Sequence, residues 1–275
     1  MKKIFFILRL MSGFRSSFEK EIWEPQGTPT IYKLIEGLEK EKIIKEYYFI
    51  DDENLNKKKV SFKNINLEVN IIKKIFFIKK LNFYINSALH FIIISLRILR
   101  SKPDLIYVDR GNIFIAGLIT RLLRYKVVLR VMGIPPSLQN LEKEKGFFSS
   151  VLRWAYKSKF KWVLFTEEGS NPRAWSKVNL RKSVDKDFWM NGVDNPIHEK
   201  LKKKNRIDIL FVSRLTDEKG CMKLLETIKQ LSKKKLKKDW LLNIIGDGDK
   251  EEEMIDFVKK HKLNDKVKFH GKIDH

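Results

Sequence analysis

The sequence predicts an α/β protein of two doubly wound domains, the second of them incomplete. First, short β-branched runs alternate with helical patterns along the chain, as in parallel sheets that are covered by helices. Second, the alternation stops at residues 191–206, where turn-forming and then charged residues dominate, and afterwards it restarts. Third, only three strand patterns and two helical patterns follow the restart, which is about half of a doubly wound domain.

The first domain is expected at residues 1–195, and the charge-rich residues 196–206 are interpreted as a linker. Apolar runs predict its strands at residues 3–9, 44–50, 75–78, 104–108, 126–131 and 162–166. Apolar residues at helical spacing predict helices at residues 29–40, 81–99, 113–124 and 148–157. Because helical patterns separate most of the strands, the sheet is expected to be mostly parallel.

The second domain is expected at residues 207–275. Its predicted strands are residues 207–212, 240–245 and 266–270, and its predicted helices are residues 220–231 and 250–261. A parallel sheet is normally covered by helices on both faces. With only two helices available, one face or edge of this sheet is expected to be exposed.

Two apolar segments are assigned to the fold rather than to targeting or membrane spanning. Arg9 interrupts the apolar run of the first eleven residues and no small-residue cleavage site follows, so this run is interpreted as a strand. Residues 81–99 are expected to form a buried amphipathic helix, because polar residues such as Asn86 and Arg97 interrupt them. The expected buried stripe comprises Leu81, Ile85, Ala88, Leu89, Ile92, Leu96 and Leu99.

Positive charge is concentrated in the first part of the chain. The sequence has 57 Lys and Arg against 34 Asp and Glu, a net charge of +23. Residues 1–206 carry 41 basic and 21 acidic residues, a net +20, whereas residues 207–275 carry 16 and 13. Such asymmetry favours an anionic partner, either a membrane surface or a nucleic acid. No nucleic-acid-binding motif or aromatic-basic platform accompanies it, so no nucleic acid is expected.

Two cations stand at the end of a predicted strand in the stretch FVSRLTDEKG. Open α/β sheets bind ligands at the carboxyl ends of their strands, which is where Arg214 and Lys219 are expected. Gly220 and the next helix add free N–H groups and a positive dipole end, so an anion site of diphosphate size is predicted. The same arrangement of a strand, a loop and a helix start recurs in the stretch NIIGDGDKEEEM. There, Gly246 and Gly248 would allow close approach of the backbone to a ligand.

These stretches, followed by VKFHGKIDH, resemble the nucleotide-sugar-binding half of GT-B glycosyltransferases of family 4, which consist of two Rossmann-like domains. The resemblance implies that Arg214 and Lys219 are catalytic, because they would hold the donor diphosphate and neutralise it as it leaves. It also implies that the GDG loop, with Gly246, Asp247 and Gly248, lines the donor pocket together with Gly271.

The N-terminal half is similar to the same family at three further places, all expected at the acceptor cleft. EPQGTPTIYKLIEGLEKE resembles a glycine-containing loop that enters a long helix, with Gly27 and Thr28 near the cleft. KPDLIYVDRGN resembles a strand whose carboxyl end carries Asp109, Arg110 and Asn112. DFWMNGVD resembles the segment before the hinge, which implies that Asn191 and Gly192 border the cleft.

The chain departs from the family in two ways. Met132 stands where members commonly have a histidine before glycine. The paired glutamates that hold the donor sugar and ribose lie beyond the third strand of the donor domain, past residue 275. A truncated transferase is therefore expected, with weak donor binding. A non-catalytic remnant and a basic nucleic-acid-binding protein are the alternatives.

The resemblance implies a retaining, metal-independent transferase that needs no cofactor and takes a nucleotide-sugar as donor substrate. The acceptor would be a glycan or lipid-linked molecule of the cell envelope. The five histidines lack metal-ligand spacing, and the single cysteine, Cys221, is typical of a reducing cytosol. With the basic first half, this predicts a cytoplasmic protein bound peripherally to the inner face of the cytoplasmic membrane.

Overall fold

The structure is a computed structural model that divides into two compact units, Met1–Asn195 and Pro196–His275, here called unit 1 and unit 2. The residues that it describes are 2–25, 29–53, 55–74, 82–167, 169–190 and 205–273. Each unit has its own sheet and its own hydrophobic core, so each is described by itself.

Unit 1 contains an eight-stranded sheet with the order β3-β4-β2-β1-β5-β6-β7-β8 within the described residues. All neighbours are parallel except β3 and β4. The strand order reverses at β1, which lies between β2 and β5, and such switch points are where doubly wound sheets bind ligands. The strands are β1 Lys3–Arg9, β2 Ile44–Asp51, β3 Lys59–Ser61, β4 Glu68–Lys73, β5 Leu105–Asp109, β6 Val127–Val131, β7 Trp162–Thr166 and β8 Asp185–Trp189.

Helices cover both faces of this sheet. Alternate residues of β1 enter two separate cores, with Phe5 and Ile7 on one face and Phe6 and Leu8 on the other, and for this reason the strand is apolar throughout. The helices are α1 Ser12–Lys20, α2 Pro29–Glu39, α3 Asn82–Ser101, α4 Ile113–Leu118, α5 Pro136–Gln139, α6 Phe147–Tyr156 and α7 Pro172–Asn179. A 3-10 turn, Arg110–Asn112, precedes α4, and a π-helical turn, Ile119–Leu123, continues it.

Unit 2 contains a parallel sheet in the order β11-β10-β9, formed by β9 Arg206–Val212, β10 Asp239–Ile245 and β11 Val267–Phe269. Helices α8, Cys221–Ser232, and α9, Glu251–Lys260, pack on one face around Leu225, Leu242 and Met254. On the other face, Leu210 and Val212 are 63% and 61% exposed. One face of this sheet is therefore uncovered in the part of unit 2 that the structure describes.

The structure confirms the α/β fold class and most of the predicted elements. The elements that were not predicted are β3, β4, β8, α1, α5 and α7, and the predicted strand at residues 75–78 lies outside the described residues. Within the residues that the structure describes, no helix is both long enough and apolar enough to cross a bilayer.

The buried face predicted for α3 was wrong. Ile92, Leu96 and Leu99 are 56%, 54% and 52% exposed, whereas Ile94 and Ile98 are fully buried in the core. Three polar residues, Asn86, Ser87 and His90, share the buried face. His90 can face inward because its Nε2 is hydrogen-bonded to the carbonyl oxygen of Lys73 at 2.9 Å. The helix is thus apolar on both faces, and spacing alone does not identify the inner one.

Candidate functional site

Three loops meet at the carboxyl edge of the unit 2 sheet, because its strands are parallel and end at the same edge. Loop 213–220 follows β9, loop 246–250 follows β10, and residues 270–273 follow β11. The backbone hydrogen bonds that join the loops run from Ser213 N to Ile245 O (3.1 Å), Leu215 N to Asp247 O (2.7 Å), Lys250 N to Leu215 O (3.0 Å) and Gly246 N to Gly271 O (2.9 Å). The loops therefore form one connected platform.

The glycines of the GDG loop make this close packing possible. A Cβ atom on Gly246 would overlap the carbonyl oxygen of Ser213, and one on Gly248 would overlap the carbonyl oxygen of Leu215. Their immediate role is close approach to the neighbouring loop. Approach to a ligand stays a prediction for both. By contrast, the space around a Cβ on Gly271 is open, although its φ of 66° is in the left-handed region.

Arg214 and Lys219 lie on this platform with exposed side chains. Two backbone hydrogen bonds of 3.1 Å, from Thr216 N to Arg214 O and from Lys219 N to Thr216 O, fold the chain between them into a compact turn. Within the described residues, neither side chain forms a hydrogen bond or an ion pair. Both cations therefore have no protein partner there and are available to an anion.

Buried side chains at Leu215 and Cys221 anchor the turn to the unit 2 core. Both side chains are fully buried there. The Cys221 thiol also donates to the carbonyl oxygen of Thr216, with an Sγ–O distance of 3.3 Å. Anchoring at both ends of the turn holds the backbone of Arg214 and Lys219 in place against the sheet.

The N-terminus of α8 lies beside these cations and is positively polarised. Gly220 precedes it with a φ of 70°, and the first turn of α8 contains no acidic residue. The first turn of α9, by contrast, contains Glu251, Glu252 and Glu253, which interact favourably with that helix's own dipole. Of the two helix starts, α8 is the one suited to an exogenous anion.

Nearby acidic residues are partly neutralised. The Lys250 Nζ lies 3.4 Å from Asp217 Oδ2 and 2.8 Å from Glu253 Oε2, and these carboxylates raise the pKa of Lys250. Asp247 is exposed, and it contributes its backbone carbonyl to the platform. No cluster of metal-ligating side chains occurs in the described ranges.

In unit 1, Asp109 and Asn112 lie at the carboxyl end of β5 with buried side chains. The Asp109 carboxylate accepts from the backbone N–H of Arg9 and from Asn112 Nδ2, the latter at 3.0 Å. Burial raises the pKa of Asp109 to about 6, although hydrogen bonds from the backbone of Arg9 and Asn112 oppose this rise. These two side chains hold the loop, whereas Arg110 is only half-buried.

The remaining predicted acceptor residues, Gly27, Thr28, Asn191 and Gly192, lie outside the described residues. Of the predicted site residues that are described, Arg214, Lys219, Gly246, Asp247, Gly248 and Gly271 are all in unit 2. Asp109, Arg110 and Asn112 are together in unit 1.

A buried cation that was not predicted from the sequence lies at the carboxyl end of β6. Arg130 is only 3% exposed, its Nη2 donates to Thr166 Oγ1 at 2.6 Å, and its Nη1 has no hydrogen-bond partner among the described residues. Burial lowers its pKa. On the same sheet face, Met132 Sδ accepts from Thr30 Oγ1 at the start of α2, with an Oγ1–Sδ distance of 3.8 Å. The signal was present in the sequence VVLRV, where an arginine interrupts an apolar strand.

The ion pairs at the carboxyl ends of β1 and β2 were not predicted either. Arg9 pairs with Asp52 and donates to the carbonyl oxygen of Gly111 at 2.7 Å. Arg15 Nη2 donates to the buried Asp51 Oδ1 at 2.7 Å. These contacts tie the ends of β1, β2 and β5 together, next to the point where the strand order reverses.

Comparison with known proteins gives a family-model match to one part of the chain and a fold for nearly all of it. The sequence model of the glycosyl transferases group 1 family matches residues 193–275, which include all three loops of the platform. No curated protein matches the sequence at a significant level.

Three solved structures share the fold of nearly the whole chain. The apo form of the lipopolysaccharide outer core galactosyltransferase WaaB is 16% identical, with a TM-score of 0.57, over 99% of this chain and 68% of its own. Sucrose-phosphate synthase from Thermosynechococcus elongatus is 13% identical, with a TM-score of 0.64, over 100% and 71%. UDP-GlcNAc 2-epimerase from Methanocaldococcus jannaschii is 14% identical, with a TM-score of 0.53, over 99% and 74%.

The epimerase shows that this fold serves more than one reaction, so the fold alone does not define the chemistry. The family match rests on the unit that carries Arg214, Lys219 and the GDG loop. Residues 193–275 are therefore similar to the glycosyl transferases group 1 family, and the chain shares the fold of the GT-B glycosyltransferases.

Proposed function

We propose that this chain transfers a sugar, with retention of anomeric configuration, from a nucleotide-sugar to a glycan or lipid-linked acceptor of the cell envelope. One observation carries the proposal. Arg214 and Lys219 have no partner in the described part of the chain, and they stand on a hydrogen-bonded platform beside the acid-free N-terminus of α8. Free cations on a rigid support, next to a helix N-terminus, suit a diphosphate.

In the proposed reaction, the bond between the anomeric carbon and the diphosphate oxygen breaks, and the diphosphate takes the electron pair. Arg214 and Lys219 neutralise the charge that develops on this leaving group. The acceptor hydroxyl attacks the anomeric carbon on the face from which the diphosphate departs. Its proton passes to the departing diphosphate, so the step balances without an enzyme nucleophile or a metal ion.

We further propose that the reaction takes place at the cytoplasmic face of the membrane, with the protein bound peripherally. The net charge of +20 on residues 1–206 supports this location, because anionic lipid headgroups attract basic surfaces. Asp109, Arg110 and Asn112 stay our candidates for the acceptor side, with Arg110 the one whose side chain reaches solvent.

The test is a transfer assay on the full chain with a panel of UDP-, GDP- and ADP-activated sugars, followed by mass spectrometry. Where the parent forms product, Lys219→Ala is expected to lower the rate by about 100-fold, because a transition-state charge loses its stabilising partner. The fold should stay intact, because an exposed cation contributes little stability.

Lys234→Ala is the matched control, since Lys234 is also exposed but follows the far end of α8. Equal turnover by Lys219→Ala and the parent would overturn the assignment of the diphosphate site. Epimerisation of the donor sugar without transfer would overturn the reaction class.

A further inference from the structure

We infer that unit 1 docks onto an anionic lipid bilayer through the outer surface of three adjacent segments, α3, the 119–123 turn and α6. We call this surface the helical face; its apolar residues are Ile92, Leu96, Leu99, Leu122, Phe147, Phe148 and Trp154. The inference rests on the peripheral location in the proposed function. It does not depend on the transfer chemistry, so the two can fail separately.

The helical face exposes large apolar side chains to solvent. Leu122 is 63% exposed and Phe147 is 76% exposed, values similar to or greater than those of the three α3 residues described above. Phe147 and Trp154 are seven residues apart, which places them on the same side of α6. Exposed apolar side chains that cluster on one side of a domain mark an interaction site.

The segments of the helical face are neighbours in one layer. α3 packs against α4 and the 119–123 turn, and α4 packs against α6. The rings of Phe114 and Phe148 join α4 to α6 with centroids 6.5 Å apart. Inner residues of α3, α4 and α6, such as Ile94, Ile115 and Leu152, share one core against the sheet. Their outer residues therefore form one surface that points away from the sheet.

Charge on the helical face has a single sign. None of residues 82–101, 113–123 and 147–156 is acidic, whereas Arg97, Arg100 and Arg121 are within these segments. At one end of the layer lies a cavity of about 660 Å³ with no acidic lining residue; its cations are Arg121, Arg124, Lys126, Lys159, Lys161 and Arg181. A cluster of like charges without a carboxylate suits an anionic partner.

Arg121 joins the cavity to the apolar surface. Its guanidinium lies over the ring of Trp154 at 4.5 Å from the centroid and donates to the Trp154 carbonyl oxygen at 2.8 Å. A third contact, from Nε to Ser158 Oγ at 3.1 Å, fixes its direction. Burial and the neighbouring Arg181 lower the pKa of Arg121, consistent with crowding of like charges.

This combination favours a lipid bilayer over the other anionic partners. Aromatic side chains flanked by cations are typical of the interface between headgroups and acyl chains. Nucleic acid would be attracted by the cations but would leave Leu96, Leu99 and Leu122 in water. An anionic bilayer meets both needs, because phosphate headgroups face the cations and acyl chains receive the apolar side chains.

The test is sedimentation of the full chain with vesicles of phosphatidylglycerol and phosphatidylcholine in equal parts, and with vesicles of phosphatidylcholine alone. We expect salt-sensitive binding to the anionic vesicles only. Leu96→Ser/Leu99→Ser should lower the partition constant about tenfold, because two aliphatic side chains no longer enter the bilayer.

The matched control is Leu210→Ser/Val212→Ser, which removes two apolar side chains of similar, slightly greater exposure from unit 2. This control should bind vesicles as the parent does. Equal weakening by both double variants, binding that ignores lipid charge, or tighter binding to duplex DNA at the same salt concentration would each overturn the inference.

A second measurement uses the unmodified chain and so does not depend on how a variant folds. Hydrogen exchange is compared with and without anionic vesicles. Peptides from residues 92–102 and 147–157 should gain protection, whereas peptides from α2, on the opposite face of the sheet, should not. Protection of α2 with no change in α3 and α6 would place the membrane on the other face and contradict the inference.

Discussion

At the scale of single residues, the candidate site residues include cations that differ in burial and in their hydrogen-bond partners. Arg214 and Lys219 are exposed and have no partner within the described residues, as expected of side chains that bind an anionic ligand. Arg130 is buried, and its Nη1 has no hydrogen-bond partner in the described part of the chain. A buried cation that lacks a carboxylate partner costs stability.

Asp109 provides a pH-dependent prediction, because burial raises its pKa from 3.8 to about 6. An acid with a higher pKa in the native state binds its proton more tightly there than in the unfolded chain. Unit 1 should therefore lose stability as the pH rises from 3.8 through about 6, with a total loss on the order of 3 kcal/mol from this group. Above that range, both states are ionised and the loss is complete.

Asp109→Asn isolates this contribution, because the amide has no proton to lose. Once the Asn112 amide turns over, the new nitrogen can donate to Asn112 Oδ1, which has no partner in the described part of the parent structure. Urea unfolding across the same pH range should show a decline for the parent that the variant lacks. Identical pH profiles for the two proteins would mean that Asp109 does not titrate in this range.

At the scale of elements, the sequence predicted strands best where they are buried on both faces. β1, β6 and β7 are short apolar runs and were found within one residue of their observed bounds. β3, β4 and β8 were missed because polar residues occupy half or more of each, as in DKDFW. Their assignment depends on neighbouring strands, which the local pattern does not contain.

Within the site, too, local features were predictable from the sequence and contacts between distant segments were not. The positions of Arg214 and Lys219 were predictable, because charges that end an apolar strand stand out in the sequence. The backbone partners of Gly246 and Gly248 were not, because they come from a loop about 30 residues earlier, brought close by strand pairing. The exposed face of α3 was unpredictable for a similar reason, since apolar residues occupy both sides of the helix.

Gly246→Ala tests whether the platform is a single packed element. The new Cβ would overlap the Ser213 carbonyl, so the loops must separate and the free energy of unfolding should fall by roughly 3 kcal/mol. Gly271→Ala is the control, since it adds a methyl group to open space and only strains a positive φ, at about 1 kcal/mol. The urea dependence of amide hydrogen exchange in β10 measures the free energy of unfolding of each variant. Equal losses in Gly246→Ala and Gly271→Ala would contradict the packing argument.

At the scale of the whole molecule, the two units differ in net charge and in how far helices cover their sheets. Unit 1 has a sheet covered by helices on both faces and carries most of the positive charge. The described part of unit 2 has one uncovered sheet face, a nearly balanced charge and the residues that match the glycosyl transferases group 1 family. We propose that this division separates acceptor and membrane contacts in unit 1 from donor contacts in unit 2.

The central claim is that the platform of unit 2 holds a nucleoside diphosphate through Arg214, Lys219 and the N-terminus of α8. Isothermal titration calorimetry of the full chain with UDP, GDP and ADP, each paired with its nucleoside, tests this claim most directly. At least one diphosphate should bind roughly tenfold or more tightly than its nucleoside, because charge-assisted contacts to phosphate are lost with the phosphates. Arg214→Ala/Lys219→Ala should abolish that difference, whereas Lys234→Ala/Lys235→Ala, which removes two exposed lysines beyond the far end of α8, should preserve it. Equal affinity for diphosphate and nucleoside in the parent, or an unchanged preference in the Arg214→Ala/Lys219→Ala variant, would contradict the account.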